Sequence, residues 1–436
     1  MTTSYILPWL SVLILLVAYV LVATEEISHM RKSKPVLLSA GIIWILVALS
    51  QSLQGNPLED VAIAYEEMFL EFAELFCFLL VAMTFINALT ERNFFSFIRQ
   101  TLVEAKLSKR QLFWGTGWLT FFVSPIADNL TTALLMGAVL SAVDPADKKF
   151  IGIGFVNIVV AANAGGAFSP FGDVTTLMVW QNGVLAFTQF FALLLPSIVN
   201  FLIPALIMQF YISTERPDVH AERVILKEGA FSILAIFLTT IAFTVAVHQI
   251  FHLPAVFGML AGLGLLNTYG YFLKRHASRH ATPDATASTP LVAEFDIFNK
   301  IARAEWDTLL FFYGVIASVS GIAYFGLLSD ASTLLYGQLG PSLANSVMGV
   351  VSAVVDNIPI MYAVLTMQPV MSDAQWLLIT LTAGTGGSLL SIGSAAGVAL
   401  MGQSNGTYTF ISHLKWSWAI FLGYVSSILL HIALSN

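Results

Sequence analysis

The chain has 436 residues, of which 57% are hydrophobic and only 10% are charged, and its mean hydropathy is +0.81. Soluble domains average about 25% charged residues, so this composition excludes a soluble globular protein and indicates an integral membrane protein with the lipid bilayer as its solvent. The net charge of −7 says little about partners, because the side on which each charge lies matters more than the sum, and we expect no nucleic-acid partner. The single cysteine, Cys77, excludes a disulfide framework and a cysteine-based metal site.

In chain order, the apolar segments divide the sequence into four regions. Residues 1–35 are predicted to form the first transmembrane helix and a cytoplasmic loop, 36–212 a first repeat, 213–253 a cytoplasmic loop with a connecting helix, and 254–436 a second repeat. Residues 274–303 include a tract rich in Ala, Thr, Ser and Pro, which predicts a disordered cytoplasmic linker.

Each predicted repeat contains two apolar stretches that are interrupted by polar residues, glycine or proline. They lie at 111–143 and 150–188 in the first repeat and at 343–371 and 375–402 in the second. The first stretch of each pair is predicted to be a re-entrant hairpin, and the second a broken helix that crosses the membrane once.

The motif in the middle of the first hairpin is the most informative. From Ser124 the chain reads S-P-I-A-D-N, so Pro125, Asp128 and Asn129 stand inside apolar sequence. An ionisable side chain at membrane depth costs about 2.5 to 3.5 kcal/mol on insertion scales, and proline interrupts the helical hydrogen bonds. Broken backbone at that depth persists only where protein or a water-filled cavity satisfies it. The motif therefore predicts a functional site at the hairpin tip.

Both kinds of motif recur in the second repeat in the same order. The pattern S-x-x-x-D-N returns with Ser352, Asp356 and Asn357. The pattern G-G-x-x-x-x-x-G occupies both broken helices, and its glycines and their neighbours are Asn163, Gly165, Gly166, Gly172 and Asp173 in the first and Thr385, Gly386, Gly387, Gly393 and Ser394 in the second. Two motifs in one order indicate an internal duplication, which points to a transporter whose site lies between the repeats.

Positive charge determines the topology. If both hairpins enter and leave on one side and both broken helices cross once, all 19 Lys and Arg residues fall on the same face. If each hairpin crossed instead, the basic residues from Lys148 to Arg303 would move to the opposite face, against the positive-inside tendency. We therefore predict an all-α polytopic membrane protein with about ten transmembrane crossings, two re-entrant hairpins and two inverted-topology repeats with broken helices. Both termini lie outside in this topology.

The residues of these motifs favour a cation as the ligand. The predicted membrane segments contain no Lys or Arg but include Asp128, Asp173 and Asp356, whereas an anion would require a positive group or free helix N-termini. Hard cations bind carboxylate, amide, hydroxyl and carbonyl oxygens. The other candidate ligands are Asn129, Asn163, Asn357, Ser124, Thr175, Thr176, Ser352, Ser394 and the backbone carbonyl of Pro125. The motifs lack His and Cys, which argues against zinc or copper and for an alkali cation or a proton. Competition of the two at one buried carboxylate would give exchange.

The chain resembles the NhaD-type sodium/proton antiporters of the ion transporter superfamily. The resemblance covers nearly the whole chain and is most specific in the segments S-P-I-A-D-N-L-T-T and N-A-G-G-A-F-S-P-F-G-D-V-T-T. It implies a cation and proton site formed by Asp128, Asn129, Asn163, Asp173, Thr175, Thr176, Ser352, Asp356, Asn357 and Ser394. Because Asp173 is matched by Ser394, the two repeats are not equivalent.

The resemblance also implies an activity. It predicts a secondary active transporter, and no enzyme, that exchanges cytoplasmic Na⁺ and Li⁺ for external H⁺ by alternating access. Sodium would bind at Asp128, Asn129, Asp356 and Asn357, with no cofactor beyond the transported ions. The implied location is the bacterial inner membrane with both termini periplasmic, and the implied roles are pH homeostasis and salt tolerance. A homodimer is left open.

Two other functions remain as alternatives. An anion permease for dicarboxylate or arsenite would share the fold, but the dicarboxylate branch carries a Ser-Asn-Thr signature where this chain has acids, at Asp128 and Asp356. An intramembrane aspartyl protease would pair two buried acids, and Gly172-Asp173 resembles part of its G-x-G-D motif. Pro170 stands in the place of the first glycine, however, and a protease gives no reason for an inverted duplication.

Purely structural roles are the alternative for individual residues. Asp128, Asp173 and Asp356 could each cap the helix that follows. The histidines at predicted segment ends, among them His413, are explained by placement at the membrane interface, and a pH sensor stays open.

Overall fold

The computed structural model describes residues 2–105, 107–144, 147–217, 224–280, 296–404 and 406–435, and within these ranges the regular structure is helical, with no strand. Helices α1 to α10 are Thr2–Ala23, Glu25–Ser28, Ser33–Gln54, Glu59–Glu91, Phe94–Glu104, Lys109–Ala127, Asn129–Val143, Lys148–Gly166, Val174–Gln181 and Leu194–Met208. Helices α11 to α21 are Ala230–Phe251, Ala255–His280, Ile297–Ala302, Trp306–Tyr324, Leu327–Leu339, Pro341–Val355, Asn357–Met367, Asp373–Gly386, Ala395–Gln403, Phe410–Leu414 and Ser417–Ser435. Short 3₁₀ helices, Phe187–Leu193 and Gln209–Tyr211, flank α10.

Membrane-spanning helices confirm the predicted class of an all-α polytopic membrane protein. In the part of the chain that the structure describes, eight helical segments are long and apolar enough to cross a bilayer. They are Ser33–Gln54, Glu59–Glu91, Lys148–Gly166, Phe187–Tyr211, Ala230–Phe251, Ala255–His276, Trp306–Tyr324 and Ser417–Ser435. The predicted count of about ten crossings would also require α1, of which Ile6–Val22 is a shorter apolar helix, and α18 of the second broken helix, which has 14 residues.

The predicted interruptions fall where the motifs indicated. The first hairpin is α6 and α7, which meet at Asp128, and the second is α16 and α17, which meet at Asp356. The first broken helix is α8 and α9, separated by residues 167–173, and the second is α18 and α19, separated by residues 387–394. Pro125 lies inside the last turn of α6, so the helix continues past it to Ala127.

Two other features were not anticipated in detail. Helix α15 precedes the second hairpin and meets α16 at a bend of 120°. The predicted linker at 274–303 begins within α12, which continues to His280, and ends with α13. Residues 281–295 of that linker lie outside the described residues.

The chain folds as two compact units, and the first contains both hairpins and both broken helices. This unit comprises Met1–Phe72, Leu102–His220 and Leu310–Asn436. Its core includes a cluster of rings in which Phe121 of α6 stacks on Phe201 of α10 with 5.7 Å between centroids. Burial of these rings packs α6 of the first hairpin against α10.

An ion cluster joins the open end of the first hairpin to the first broken helix within this unit. Lys109 Nζ lies 2.8 Å from Asp144 Oδ2 and 2.6 Å from Asp147 Oδ2. Hydrogen bonds to Asp144 and Asp147 raise the pKa of Lys109, although burial lowers it. Asp147 also caps α8 by accepting a hydrogen bond of 3.0 Å from the Phe150 N–H. The base of the hairpin is therefore held at α8 by charge as well as by packing.

The second unit comprises Ala73–Thr101 and Ala221–Leu309. Its helices α11 and α12 approach each other closely at Gly262, where a Cβ would overlap the side chain of Thr240. The absence of a side chain on glycine allows this contact. Phe85 stacks on Phe237 with 4.8 Å between the ring centroids. This unit contributes none of the predicted site residues.

Candidate functional site

The two hairpin tips have the same unusual backbone conformation. Asp128 has φ 59° and ψ 161°, and Asp356 has φ 79° and ψ 152°. Residues other than glycine rarely adopt this region, and each such position costs on the order of 1–3 kcal/mol unless the surrounding structure enforces it. The conformation ends one hairpin helix and directs the following Asn into the next helix. The two copies of the S-x-x-x-D-N motif thus adopt the same backbone conformation at the acid.

The carboxylates of both tip residues are used within their own hairpins. Asp128 accepts hydrogen bonds of 2.8 Å from the backbone N–H and from the hydroxyl of Thr131. Asp356 accepts a hydrogen bond of 2.8 Å from the backbone N–H of Asn357. These bonds satisfy the exposed N–H groups at the start of α7 and α17. The capping role foreseen as an alternative is therefore present at both tips.

Matched contacts bind each hairpin to the broken helix of its own repeat. The Ser124 hydroxyl donates to the Ala162 carbonyl at 2.7 Å, and the Ser352 hydroxyl donates to the Ala383 carbonyl at 2.8 Å. Glycine permits the close approach next to both bonds: a Cβ on Gly165 would overlap the Phe121 carbonyl of the first hairpin, and Gly386 is equally constrained in the second.

The second halves of the broken helices begin at equivalent caps. Asp173 has φ −149° and ψ 147° and accepts a hydrogen bond of 3.1 Å from the Thr175 N–H. Ser394 has φ −148° and ψ 151° and accepts one of 3.4 Å from the Gly397 N–H. Thr176 closes the first break, since its hydroxyl lies 2.8 Å from the Ser169 carbonyl. The two caps thus share one backbone conformation, with an acid in the first repeat and a hydroxyl in the second.

Asp173 is the point at which the two hairpins meet. Its Oδ2 accepts hydrogen bonds of 2.9 Å from the side-chain amides of both Asn129 and Asn357, one from each hairpin tip. The residue is 3% exposed, and no Lys or Arg forms an ion pair with it among the residues that the structure describes. A buried carboxylate that is solvated only by neutral donors retains a strong demand for a proton or a cation.

Asn163 connects this carboxylate to the second repeat. Its Oδ1 accepts a hydrogen bond of 3.0 Å from Asn129, while its Nδ2 donates to the hydroxyls of Ser388 at 2.8 Å and Ser394 at 2.9 Å. The position equivalent to Asn163 in the second repeat is Gly384. A Cβ there would stand 3.8 Å from Asp173 Oδ2 and 3.9 Å from Thr175 Oγ1, so glycine leaves space beside the carboxylate.

Five of the ten predicted site residues form one buried hydrogen-bonded network, and they are Asn129, Asn163, Asp173, Asn357 and Ser394. Thr175 adjoins this network, whereas Thr176 and Ser352 bond to backbone carbonyls. Ser388 also bonds to the network, although the sequence patterns do not mark it as a site residue. Ser388 directly follows Gly386-Gly387. Its counterpart in the first repeat is Ala167, so the hydroxyl is not part of the repeated pattern.

Two cavities of the first unit are lined by acidic residues. The first, of about 40 Å³, is lined by Asp356 together with Tyr19 of α1 and Lys32 of the segment before α3. It has room for a water molecule. The second, of about 260 Å³, is lined by Glu67 and Glu71 of α4, among other residues. Acidic groups therefore stand beside open space at both places.

Comparison with known proteins gives matches over most of the chain. A family model described as "Citrate transporter" matches residues 3–384. The "Na(+)/H(+) antiporter NhaD" of Alkalimonas amylolytica is 52% identical over 99% of this chain and 92% of that protein. The protein of the same name from Vibrio cholerae serotype O1 is 51% identical over 98% of this chain and 91% of its own length. "Sodium/proton antiporter 1" of Arabidopsis thaliana is 30% identical over 96% of this chain and 71% of its own length.

Proposed function

The chain belongs to the family of these sodium/proton antiporters, and we propose that it exchanges Na⁺, and also Li⁺, for H⁺ across the membrane. The observation that supports this most directly is the carboxylate of Asp173, which is buried between the amides of two hairpins and forms no ion pair with any described Lys or Arg. A proton or an alkali cation can each neutralise that charge, and both cannot do so at once.

The proposed site centres on Asp173 and uses the asparagines of both hairpins. An Asn side chain carries two N–H donors and one oxygen acceptor. In the geometry described above, Asn129 and Asn357 present their N–H groups to the carboxylate. If the side-chain amide of either Asn flips, it presents its oxygen instead. The same residues can therefore donate to the ionised carboxylate and then contribute oxygen ligands to a cation. Thr175 adds a hydroxyl oxygen beside the carboxylate.

The hairpin acids Asp128 and Asp356 support the site around Asp173. The family resemblance implies sodium at Asp128, Asn129, Asp356 and Asn357, whereas the geometry favours Asp173 as the carboxylate that binds the ion. Asp128 and Asp356 fix the backbone that directs the two asparagines, and they add negative charge at the tips. Asp356 also lines the cavity beside Lys32, which makes it a candidate first contact for an ion that enters there.

Alternating access follows from the way that the two repeats share one network. Asn357 of the second hairpin contacts Asp173 of the first broken helix, and Asn163 contacts Ser388 and Ser394 of the second. Movement of one repeat against the other must therefore change the contacts of Asp173. We propose that the network reforms on each side with either a proton or a cation bound.

Transport of an anion is the second candidate, because the matching family model is described as "Citrate transporter". A dicarboxylate would have to bind against the negative charge of Asp173, which is paired with no Lys or Arg in the described part of the chain. The relatives that are about half identical over nearly the whole chain are named for sodium/proton antiport. Both observations favour the cation.

The function is tested with purified protein in lipid vesicles that hold an acid interior and a fluorescent pH probe. Addition of NaCl or LiCl outside is expected to release protons and restore the fluorescence, whereas potassium salts and sodium-free citrate are expected to give a much smaller signal. The Asp173→Asn protein serves as the inactive control. A sodium-independent response to citrate would contradict cation exchange and favour the anion permease.

We also propose an orientation, with both termini periplasmic in the bacterial inner membrane. It is supported by the placement of all 19 Lys and Arg residues on one face of the predicted topology. Cysteines that replace Gly55 and Gln338 are expected to react with an impermeant thiol reagent in intact cells, and a cysteine that replaces Ser213 is not. Cys77 is first replaced by Ser so that it gives no background. Labelling at residue 213 at the same rate as at residue 55 would reverse the proposed orientation.

A further inference from the structure

A chain of buried hydrogen bonds runs from α20 to the proposed ion site. His413 of α20 is 0% exposed, and its Nε2 lies 2.8 Å from the Ser388 carbonyl oxygen. The Ser388 hydroxyl in turn accepts the hydrogen bond from Asn163, whose Oδ1 accepts one from Asn129. His413 was expected at the membrane interface and is instead part of the core. Three residue contacts, through Ser388 and Asn163, connect it to Asn129, which bonds to Asp173.

The partners of His413 define its tautomer. The Ser388 carbonyl can only accept a hydrogen bond, so Nε2 carries the hydrogen and donates it. The Tyr408 hydroxyl lies 2.6 Å from Nδ1 and donates to it, because that nitrogen is the unprotonated one in a neutral ring. Burial lowers the pKa of His413 to about 4, although the Ser388 carbonyl raises it, so the ring is neutral at physiological pH.

The surroundings make this arrangement rigid. Tyr408 is buried, and its ring packs edge-on against Phe155 of α8, with 5.8 Å between the centroids. The neighbouring carbonyl of Leu389 accepts a hydrogen bond of 2.6 Å from the Ser417 hydroxyl at the start of α21. The break of the second broken helix is therefore fixed at two consecutive carbonyls by the segment that follows α19. The Nδ2 group of Asn163 donates to two hydroxyls of this break, those of Ser388 and Ser394, so the direction of its amide depends on the position of the break.

We propose that His413 is a positioning residue for the cation site. By fixing the Ser388 carbonyl, it holds the Ser388 hydroxyl where Asn163 donates to it, and Asn163 then presents its oxygen toward Asn129 and Asp173. The inference rests on the proposed function, since its effect is read as a change in the binding of sodium. It assigns His413 no contact with the ion and no proton transfer.

The primary test is the apparent sodium half-saturation constant of His413→Leu in proteoliposomes. We expect the constant to rise about tenfold with a smaller change in maximal rate, the effect that accompanies the loss of a partner by one buried polar group. His413→Gln is expected to restore most of the affinity, because its amide can donate to the Ser388 carbonyl and accept from Tyr408. If His413→Leu is not recovered as folded protein, His413→Gln and Tyr408→Phe carry the test, with little change expected for the first and a rise of about threefold for the second.

A matched control separates positioning from general packing. His431 of α21 is also buried, at 3% exposed, and its Nε2 lies 2.8 Å from the Ala374 carbonyl. Among the described residues its hydrogen bonds reach Ala374 and Ser435 and no residue of the network. His431→Leu should lose thermal stability to a similar extent while its sodium half-saturation constant stays within about twofold of the wild type. An equal rise in that constant for His431→Leu would reduce the effect of His413 to lost stability and overturn the proposal.

A double-mutant cycle decides whether His413 acts through Ser388. In a Ser388→Ala background the His413→Leu substitution should raise the sodium constant by no more than about twofold, because the bond that it supports is already absent. A full tenfold rise in that background would show that His413 acts by another route. If the wild type itself fails to exchange sodium, the proposed function fails; if it exchanges sodium normally and His413→Leu is unchanged, only this inference fails.

Discussion

Replacement of Asp173 by Asn is expected to abolish sodium/proton exchange while the protein remains inserted and folded. The side chains have the same shape, so packing is preserved, and removal of a buried negative charge relieves a cost of burial. The two hairpin amides lose an ionised acceptor, and the cation loses its counter-charge. Loss of roughly 3 kcal/mol of such interaction corresponds to a fall of more than about 100-fold in sodium-dependent exchange.

The measurement is exchange in vesicles, combined with thermal unfolding of the purified variants in detergent. Asp373→Asn is the matched control, since Asp373 is an exposed acid at the start of α18 that bonds to Gln189 at 2.6 Å. It should exchange sodium at the wild-type rate. Exchange above about a tenth of the wild-type rate in Asp173→Asn, with normal unfolding, would remove Asp173 from the centre of the site.

The hairpin acids provide an informative comparison with Asp173. Asn caps helices as well as Asp does, so Asp128→Asn and Asp356→Asn retain an acceptor for the backbone N–H groups while they lose the charge. Impaired exchange in these variants would assign a role to the charge itself. Normal exchange would leave them as caps, and the ion site would reduce to the network around Asp173.

The interruptions of the helices could be predicted from sequence because polar residues and glycine pairs stand out within apolar segments. A carboxylate and an amide in apolar sequence are expensive, and they stood out at Asp128-Asn129 and again at Asp356-Asn357. The glycine pairs marked the other two breaks, and the close contact between Gly165 and the Phe121 carbonyl shows why a larger residue does not fit there. These features depend on local chemistry, which a sequence displays directly.

The direction of each side chain was not available from such patterns. The three acids could not be told apart from sequence. Only the packed structure shows that Asp173 accepts hydrogen bonds from both hairpins, whereas Asp128 and Asp356 bond within their own hairpins. Ser388 was missed because its counterpart, Ala167, lacks the hydroxyl. His413 was misjudged because a histidine at the end of an apolar segment is compatible with an interface and with a core. Long-range packing decides between the two, and no local motif reports it.

The dependence of sodium affinity on pH is the second large expected effect. If a proton and Na⁺ compete for the network around Asp173, each must leave before the other enters. The apparent sodium half-saturation constant should then rise by up to about tenfold for each unit of falling pH wherever the protonated form predominates. The maximal rate should change less. Activity is therefore expected to increase toward alkaline pH and to fall again where protons become too dilute to reload the carrier from the other side.

The experiment measures sodium concentration curves in proteoliposomes between about pH 7 and 9 with equal pH on both sides. A constant sodium affinity across this range, with only the maximal rate changing, would exclude competition at one site and require a separate group that senses pH. His413 is not a candidate for such a sensor, because its pKa of about 4 leaves it neutral throughout the range. His413→Gln should therefore show the same slope of sodium affinity against pH as the wild type. Loss of this slope in His413→Gln would indicate that His413 takes part in proton transfer. Its role would then be chemical instead of positional.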